Sequence, residues 1–321
     1  MNITVIGCGR WGSLITWYLD HIGHRVTLYG RAASPRMQAF LTTRQNDLLT
    51  LPESVALSTA LDAALESAET VIISIGSQSL RSLLGQPELQ ALRNRTVVLC
   101  MKGLEMGTGA RLSQIAAELL HPSNTVAVWL GPGHVQEFYR GIPNCMVIDS
   151  ENEDVKRRLV QSFSSDLIRF YYGGDMIGNE VGAAAKNVVG IAAGFLDGFE
   201  MSSLKGALMS RGTREVARLI KAMGGSELSA YGLCHLGDYE ATVFSPYSHN
   251  RQFGESFVRG QDYHQLAEGY YTVKALMLLG QRYGVELPIC KAVHDILYEQ
   301  AVPKDMLAGL LRRGLTEEFY D

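Results

Sequence analysis

Short, continuously apolar runs alternate with stretches of helical period along the first half of the chain; beyond about residue 175 the period is helical throughout. The runs Asn2–Ile6 (NITVI), Arg25–Tyr29, 70–76, 96–101, Thr125–Leu130, 145–149 and 167–172 have the length and composition of strands. The stretches between them, such as 79–93 and 107–120, read as helices. Strands without polar alternation belong to a parallel sheet covered on both faces, so the first half reads as an α/β layer. The later pattern predicts helices over 179–199, 204–223, 226–231, 253–259, 271–283, 291–297 and 303–312. This division predicts a Rossmann-like domain over 1–175 and an all-α domain over 176–321, two domains being the soft expectation for 321 residues.

The segment 179–199, NEVGAAAKNVVGIAAGFLDGF, is apolar on nearly every face and rich in glycine and alanine. Each glycine lowers helix stability by roughly 1 kcal/mol relative to alanine, so such a helix implies that other elements press closely against it. It carries one lysine, Lys186, beside Asn187, and the positions three and four away are Gly182, Ala183, Val189 and Gly190. No carboxylate of its own helix face can pair with it. Two readings follow: a lysine whose stem snorkels to solvent, or a desolvated amine with a movable pKa that is available for proton transfer.

At the N-terminus the strand NITVI runs into Gly7-Cys8-Gly9-Arg10-Trp11-Gly12, an amphipathic helix follows to about Ile22, and a second strand closes the unit. The bare GxGxxG pattern is weak. In this strand-turn-helix-strand context it reads as a dinucleotide-binding turn, with the pyrophosphate on backbone amides at the helix N-terminus. An NAD-selective site commonly has an acid after the second strand, whereas this chain has Arg31. Arg31 suits a 2′-phosphate and hence NADP or dual use with NAD; it also suits a solvated surface charge. Ligands of open α/β sheets sit past the carboxyl ends of strands, where Ser77, Lys102, Gly131 and Gly133 fall. Among the helices of the second half, the polar stretch 233–251 reads as a binding loop.

Hydrophobic residues make up 46% of the chain and charged ones 19%, with a net charge of −4, which points to neither nucleic acid nor an anionic membrane. No apolar run is long enough to span a bilayer, and the N-terminus lacks a secretory pattern, so a cytoplasmic location is expected. Five widely spaced cysteines suit reduced thiols, and no metal-binding spacing is present.

Taken together, the motifs resemble those of NAD(P)-dependent glycerol-3-phosphate dehydrogenases of the bacterial type. The resemblance rests on GxGxxG, KGLE at 102–105, GPxH with a following glutamate at 131–137, AKNVVGIAAGFLDG at 185–198, SRGTREVARL at 210–219 and HLGD at 235–238, which is GLGD-like. The SxNRxFG run at 248–254 and EGY at 268–270 complete the order. It implies interconversion of dihydroxyacetone phosphate and glycerol 3-phosphate, and with it a place in glycerophospholipid biosynthesis. By position, Lys186 matches the catalytic lysine, Lys102 a second active-site lysine, and Asp238 and Thr242 the residues that hold lysine and substrate. Asn250 matches a substrate-phosphate ligand, with Gly131, Gly133, Ser248, His249 and Arg251 in the same substrate set. On the cofactor side the resemblance implies Gly7, Gly9, Arg10, Trp11, Gly12, Arg31, Ser77, Lys102, His249 and Glu268. The implied partner is a small phosphate-bearing substrate, with neither nucleic acid nor stable membrane insertion, and a homodimer is compatible.

The chain departs from the family pattern at several places. His249 stands where the family has arginine, and histidine is shorter and lacks arginine's permanent charge, so either Arg251 substitutes or anion affinity falls. Gly76, Gly133 and Leu204 are further departures. Two other readings therefore stand beside the dehydrogenase: a related two-domain reductase of another small keto or hydroxy acid, and a cofactor-binding homologue without turnover.

Overall fold

The computed structural model describes residues 1–312 and 317–318, and the chain forms two compact units. One comprises Met1–Met101 and Leu112–Met176, the other Lys102–Arg111 and Ile177–Asp321. The segment 102–111, which the sequence pattern leaves in the first half, thus belongs with the helical unit.

The first unit is an eight-stranded sheet in the order β3-β2-β1-β4-β5-β6-β7-β8, covered by helices. Its strands are β1 (Asn2–Ile6), β2 (Arg25–Tyr29), β3 (Ala56–Ser58), β4 (Thr70–Ile73), β5 (Thr96–Leu99), β6 (Thr125–Leu130), β7 (Asn144–Asp149) and β8 (Ile168–Tyr172). The central β4 and β5 are buried at every position, as a strand covered on both faces must be. β1 lies between β2 and β4, so the strand order reverses there, and the glycine turn that follows β1 stands at that reversal.

The expectation of an all-parallel sheet needs correction at one edge, because β7 pairs antiparallel with β6 and β8 is parallel to β7. The β6 to β7 connection shows why. Its helix, Val135–Tyr139, has 5 residues and spans roughly 8 Å, whereas the six-residue β6 spans roughly 20 Å. A helix this short cannot carry the chain back to the edge where β6 began, and the next strand runs the opposite way. β3 went unread because its three residues, ALS, are exposed or half-buried and form no apolar run.

The second unit is built on the helix Met176–Gly198, whose residues are buried almost without a break from Glu180 to Leu196. Around it stand the helices Lys205–Ala222, His249–Val258, Glu268–Tyr283 and Pro288–Tyr298, joined in one core that includes Val188, Ile191, Leu219, Leu276 and Val293. The small residues have the use their composition implies. A Cβ on Gly194 would run into the carbonyl oxygen of Arg251, and one on Gly254 into that of Ile191, so the two helices cross backbone to backbone. A Cβ on Gly190 would lie 2.7 Å from Thr242 Cγ2, and one on Gly269 would lie 2.6 Å from the Asn187 carbonyl oxygen.

Several helices begin earlier than their periodicity suggests, and two of them, His249–Val258 and Glu268–Tyr283, bear on the site. Ser248 caps His249–Val258 by accepting a hydrogen bond from the Arg251 amide, so 249–251 form a first helical turn and not a loop. The other starts at Glu268, ahead of its apolar stripe.

Close packing at Gly194 is testable. Gly194→Ala should destabilise the protein by about 1–3 kcal/mol in urea titrations despite alanine's better helix propensity. Gly206→Ala, which meets nothing within 4 Å, should be neutral or slightly stabilising. Equal effects at the two positions would contradict the crossing.

Candidate active site

In the second unit, three charged side chains from separate segments meet on one oxygen atom. Lys186 Nζ lies 2.8 Å from Asp238 Oδ2, and Lys102 Nζ lies 2.7 Å from the same oxygen. Lys186 Nζ also donates to Thr242 Oγ1 at 2.7 Å. Lys186 comes from the middle of the buried helix, Lys102 from the segment after β5, Asp238 from the short 3₁₀ turn Leu236–Asp238 and Thr242 from the π-helical turn Glu240–Phe244. Such π turns are rare and frequent at functional sites. Asp238 is 1% exposed, Lys186 7% and Thr242 1%, while the side chain of Lys102 keeps 20%. Lys102 is therefore the member of the group that meets solvent.

Burial dominates the titration of Lys186 and lowers its pKa from 10.5 to about 8; Asp238 opposes the shift, and the nearby Lys102 ammonium adds to it. An amine in that range gives and takes protons near neutral pH.

Behind the charges runs a chain of amides. Asn187 Nδ2 donates to the Lys102 carbonyl oxygen at 2.8 Å, Asn250 Nδ2 donates to Asn187 Oδ1 at 3.0 Å, and the Gly269 amide donates to Asn250 Oδ1 at 2.9 Å. This relay ties the Lys102 backbone to three helices and sets Glu268, half-buried, at its far end. Asn250 is thus committed on both sides of its amide group. On the opposite side of the helix, His235 Nδ1 bonds to the Gly182 carbonyl at 2.8 Å, and its Nε2 meets Tyr239 OH at 2.7 Å.

The remaining residues expected for substrate are placed differently. Arg251 Nη1 pairs with Asp197 Oδ2 at 2.7 Å and with Glu255 Oε2 at 3.0 Å, and its Nε donates to the Ser245 carbonyl. Asp197 also receives Lys205 Nζ at 2.7 Å. This second ion network, separate from the lysine pair, holds the charge of Arg251. His249 Nδ1 is held by Tyr263 OH at 2.8 Å, and Ser248 serves as the helix cap.

In the first unit, Gly7 has φ +119°, and a Cβ there would strike the Ser74 carbonyl. A Cβ on Gly12 would likewise strike the Gly7 carbonyl. Gly9 precedes the helix Arg10–His21 without offering a side-chain cap, which leaves backbone to serve an incoming phosphate. These residues fit a dinucleotide's pyrophosphate. Trp11 packs its ring 6.0 Å from that of Phe138. Ser77 is buried in a 3₁₀ turn after β4. Gly131 and Gly133 follow β6; Gly133 has φ +138°, and a Cβ there would strike the Phe138 ring, so local packing requires glycine at this position. Arg31 is exposed after β2.

Arg36 was missed by the sequence reading. Its Nη1 reaches within 3.7 Å of where a Cβ on Gly9 would stand, which brings a guanidinium to the glycine turn. Its position just after Pro35, at the start of the helix Pro35–Thr43, was the available signal.

The described residues contain no group of three or more His, Cys, Asp or Glu suited to a metal ion, and no helix among them is long and apolar enough to cross a membrane. A cavity of about 420 Å³ opens in the second unit, lined in part by Phe195, Leu208, Ile289 and Met306; it contains none of the residues of the lysine group.

The description "NAD-dependent glycerol-3-phosphate dehydrogenase" fits the chain at both ends, its N-terminal part over residues 2–156 and its C-terminal part over residues 175–308. The chain belongs to the NAD-dependent glycerol-3-phosphate dehydrogenase family. It is 32% identical over 331 residues to glycerol-3-phosphate dehydrogenase [NAD(P)+] of Thermoanaerobacter sp. (strain X514), covering 100% of this chain and 99% of the relative. It is 35% identical over 325 residues to that of Nitrosomonas europaea, with 98% of each covered. The crystal structure of glycerol-3-phosphate dehydrogenase from Coxiella burnetii superimposes with a TM-score of 0.89 at 27% identity, over 97% of this chain and 99% of that one. These dehydrogenase relatives span the whole chain, so the resemblance is not confined to the dinucleotide-binding half.

Because Asp238 raises the pKa of Lys186 while burial and Lys102 lower it, Asp238→Asn should move the Lys186 titration below about 8. NMR of labelled lysine side chains reads this directly. An upward shift would contradict the assigned balance.

Proposed function

We propose that the protein interconverts dihydroxyacetone phosphate and sn-glycerol 3-phosphate with NADP or NAD. In this reading 1–175, apart from the segment 102–111 that joins the helical unit, is the dinucleotide-binding domain and 176–321 the substrate and catalytic domain. The observation that carries it is the pairing of buried Lys186 and partly exposed Lys102 on one oxygen of buried Asp238, in a chain whose family performs this reaction. The bound nicotinamide supplies or accepts the hydride.

Ketone reduction leaves an alkoxide that needs a proton. The Lys186 ammonium has three hydrogens, of which one is directed to Asp238 and one to Thr242, which leaves the third for the substrate oxygen. In the reverse direction the neutral amine takes that proton back. Lys102, turned towards solvent, contributes positive charge to the developing oxyanion. Asp238 orients both ammonium groups and keeps them close together. Gly7, Gly9, Arg10, Trp11 and Gly12 would hold the pyrophosphate, and Arg31 with Arg36 a 2′-phosphate. Ser248, His249 and Asn250 stand on the substrate side and His249 and Glu268 on the cofactor side, with Ser248 also capping the helix that carries His249 and Asn250. The product is the backbone of glycerophospholipids, and the reading implies a cytoplasmic enzyme. The alternative of a reductase for another keto acid gains no support from relatives that match over the full chain.

Lys186→Ala should keep cofactor binding and lose about 10²–10⁴-fold in kcat with dihydroxyacetone phosphate, followed by absorbance of the reduced nicotinamide. Wild-type turnover in this variant would end the proton-donor assignment. With Lys186 titrating at about 8, alcohol oxidation should rise with pH through that value, and ketone reduction should fall through it. Arg31→Ala and Arg36→Ala should each raise KM for NADPH about tenfold and leave that for NADH within error. Equal losses with both cofactors would refute the 2′-phosphate role.

A further inference from the structure

Two buried polar residues, His235 and Tyr239, flank Asp238 in sequence and hydrogen-bond none of the charged groups around Lys186. The Gly182 carbonyl can only accept, so His235 Nδ1 carries the hydrogen and its Nε2 accepts from Tyr239 OH. Gly182 is one helical turn before Lys186, and its carbonyl is also the helical acceptor for the Lys186 amide. A side chain at 182 would crowd the imidazole stem, since a Cβ there would lie 3.0 Å from His235 Cβ. The backbones of the same two residues hold the partners of Lys186. The Asp238 amide donates to the His235 carbonyl at 3.0 Å, and the Thr242 amide to the Tyr239 carbonyl at 3.1 Å. A second donor to that carbonyl, the Val243 amide at 2.6 Å, tightens the π turn.

We infer that His235 and Tyr239 are positioning residues, a clamp that fixes Asp238 and Thr242 against the helical turn that carries Lys186. The inference rests on the role of Lys186 given above. The groups facing Lys186 are Lys102, Asp238, Thr242 and His235, and the clamp sets the position of three of these four. Burial keeps the imidazole neutral, with its pKa lowered to about 4, so the clamp adds no third positive charge beside the lysines. Burial likewise pushes the Tyr239 phenol well above its usual range, so it remains a donor at any working pH. With the clamp undone, Asp238 and Thr242 lose their fixed distance to the amine and water enters beside it. The Lys186 pKa then returns part of the way towards the ordinary lysine value.

The test is Tyr239→Phe, which removes one oxygen from a buried ring. Thermal melts establish that the variant is folded; kcat, KM and the pH dependence of each are then compared with wild type, and Lys186 is titrated directly by NMR. Expected are a kcat about tenfold lower, KM for substrate within about twofold, and a Lys186 titration about one unit higher. His235→Asn should give the same signature, and the double variant should be no worse than either single one, because the two act through one hydrogen bond. Should Tyr239→Phe fail to fold, His235→Asn alone decides by the same measurements. Unchanged kcat and titration, or a loss of activity that tracks folded protein while the titration stays in place, would overturn the clamp. The role of Lys186 falls separately, through full turnover by Lys186→Ala, and the NMR titration in Tyr239→Phe still decides the clamp in that case.

Discussion

A single carboxylate oxygen shared by two ammonium groups is the constraint to which the helical unit answers. With both lysines protonated the group carries a net charge of +1, and with Lys186 neutral it carries none. Removing three charges from water costs several kcal/mol per ion even after relaxation, and one carboxylate cannot neutralise two cations. The imbalance is relieved in two ways. Lys186 gives up its proton more readily, and Lys102 keeps part of its hydration.

Keeping that geometry demands rigidity that a flexible lysine stem does not have by itself. The surrounding backbone provides it through close approach. Gly190 lets Thr242 reach the helix, Gly269 lets the start of another helix rest on the Asn187 carbonyl, and Gly182 admits the His235 ring. Asn187 and Asn250 then fix the Lys102 main chain from one side, and His235 with Tyr239 fix Asp238 and Thr242 from the other. A helix of leucines would bury more apolar surface and would hold these partners several ångströms further away.

Much of this was legible in the sequence because composition carried it. The run of glycine and alanine around Lys186 implied close neighbours and an amine without a partner on its own helix, and both features are present. The first sheet was legible from continuous apolar strands, whereas β3 and the reversed β7 were not. Three half-exposed residues make no pattern, and strand direction is decided by the length of a connection and not by the strand's own residues. The partners of Lys186 were identified only through family motifs. Spacing alone cannot show that Lys102 and Asp238, 136 residues apart in sequence, converge on one atom. Arg36 escaped for a similar reason, since its nearness to Gly9 depends on where the helix after β2 begins.

The placement of the arginines decides how the second unit can meet a dianion. Arg251 would be the natural substitute for the arginine missing at His249, yet its guanidinium is taken by Asp197 and Glu255, and the ring of His249 is turned to Tyr263. Moving Arg251 onto a phosphate would strand Asp197 with Lys205 as its remaining ion partner. Among the lysine group, the cation with solvent exposure is Lys102, whose backbone is also the one held by the amide relay. In this unit Arg251 is thus committed to its own ion network, whereas Lys102 keeps contact with solvent.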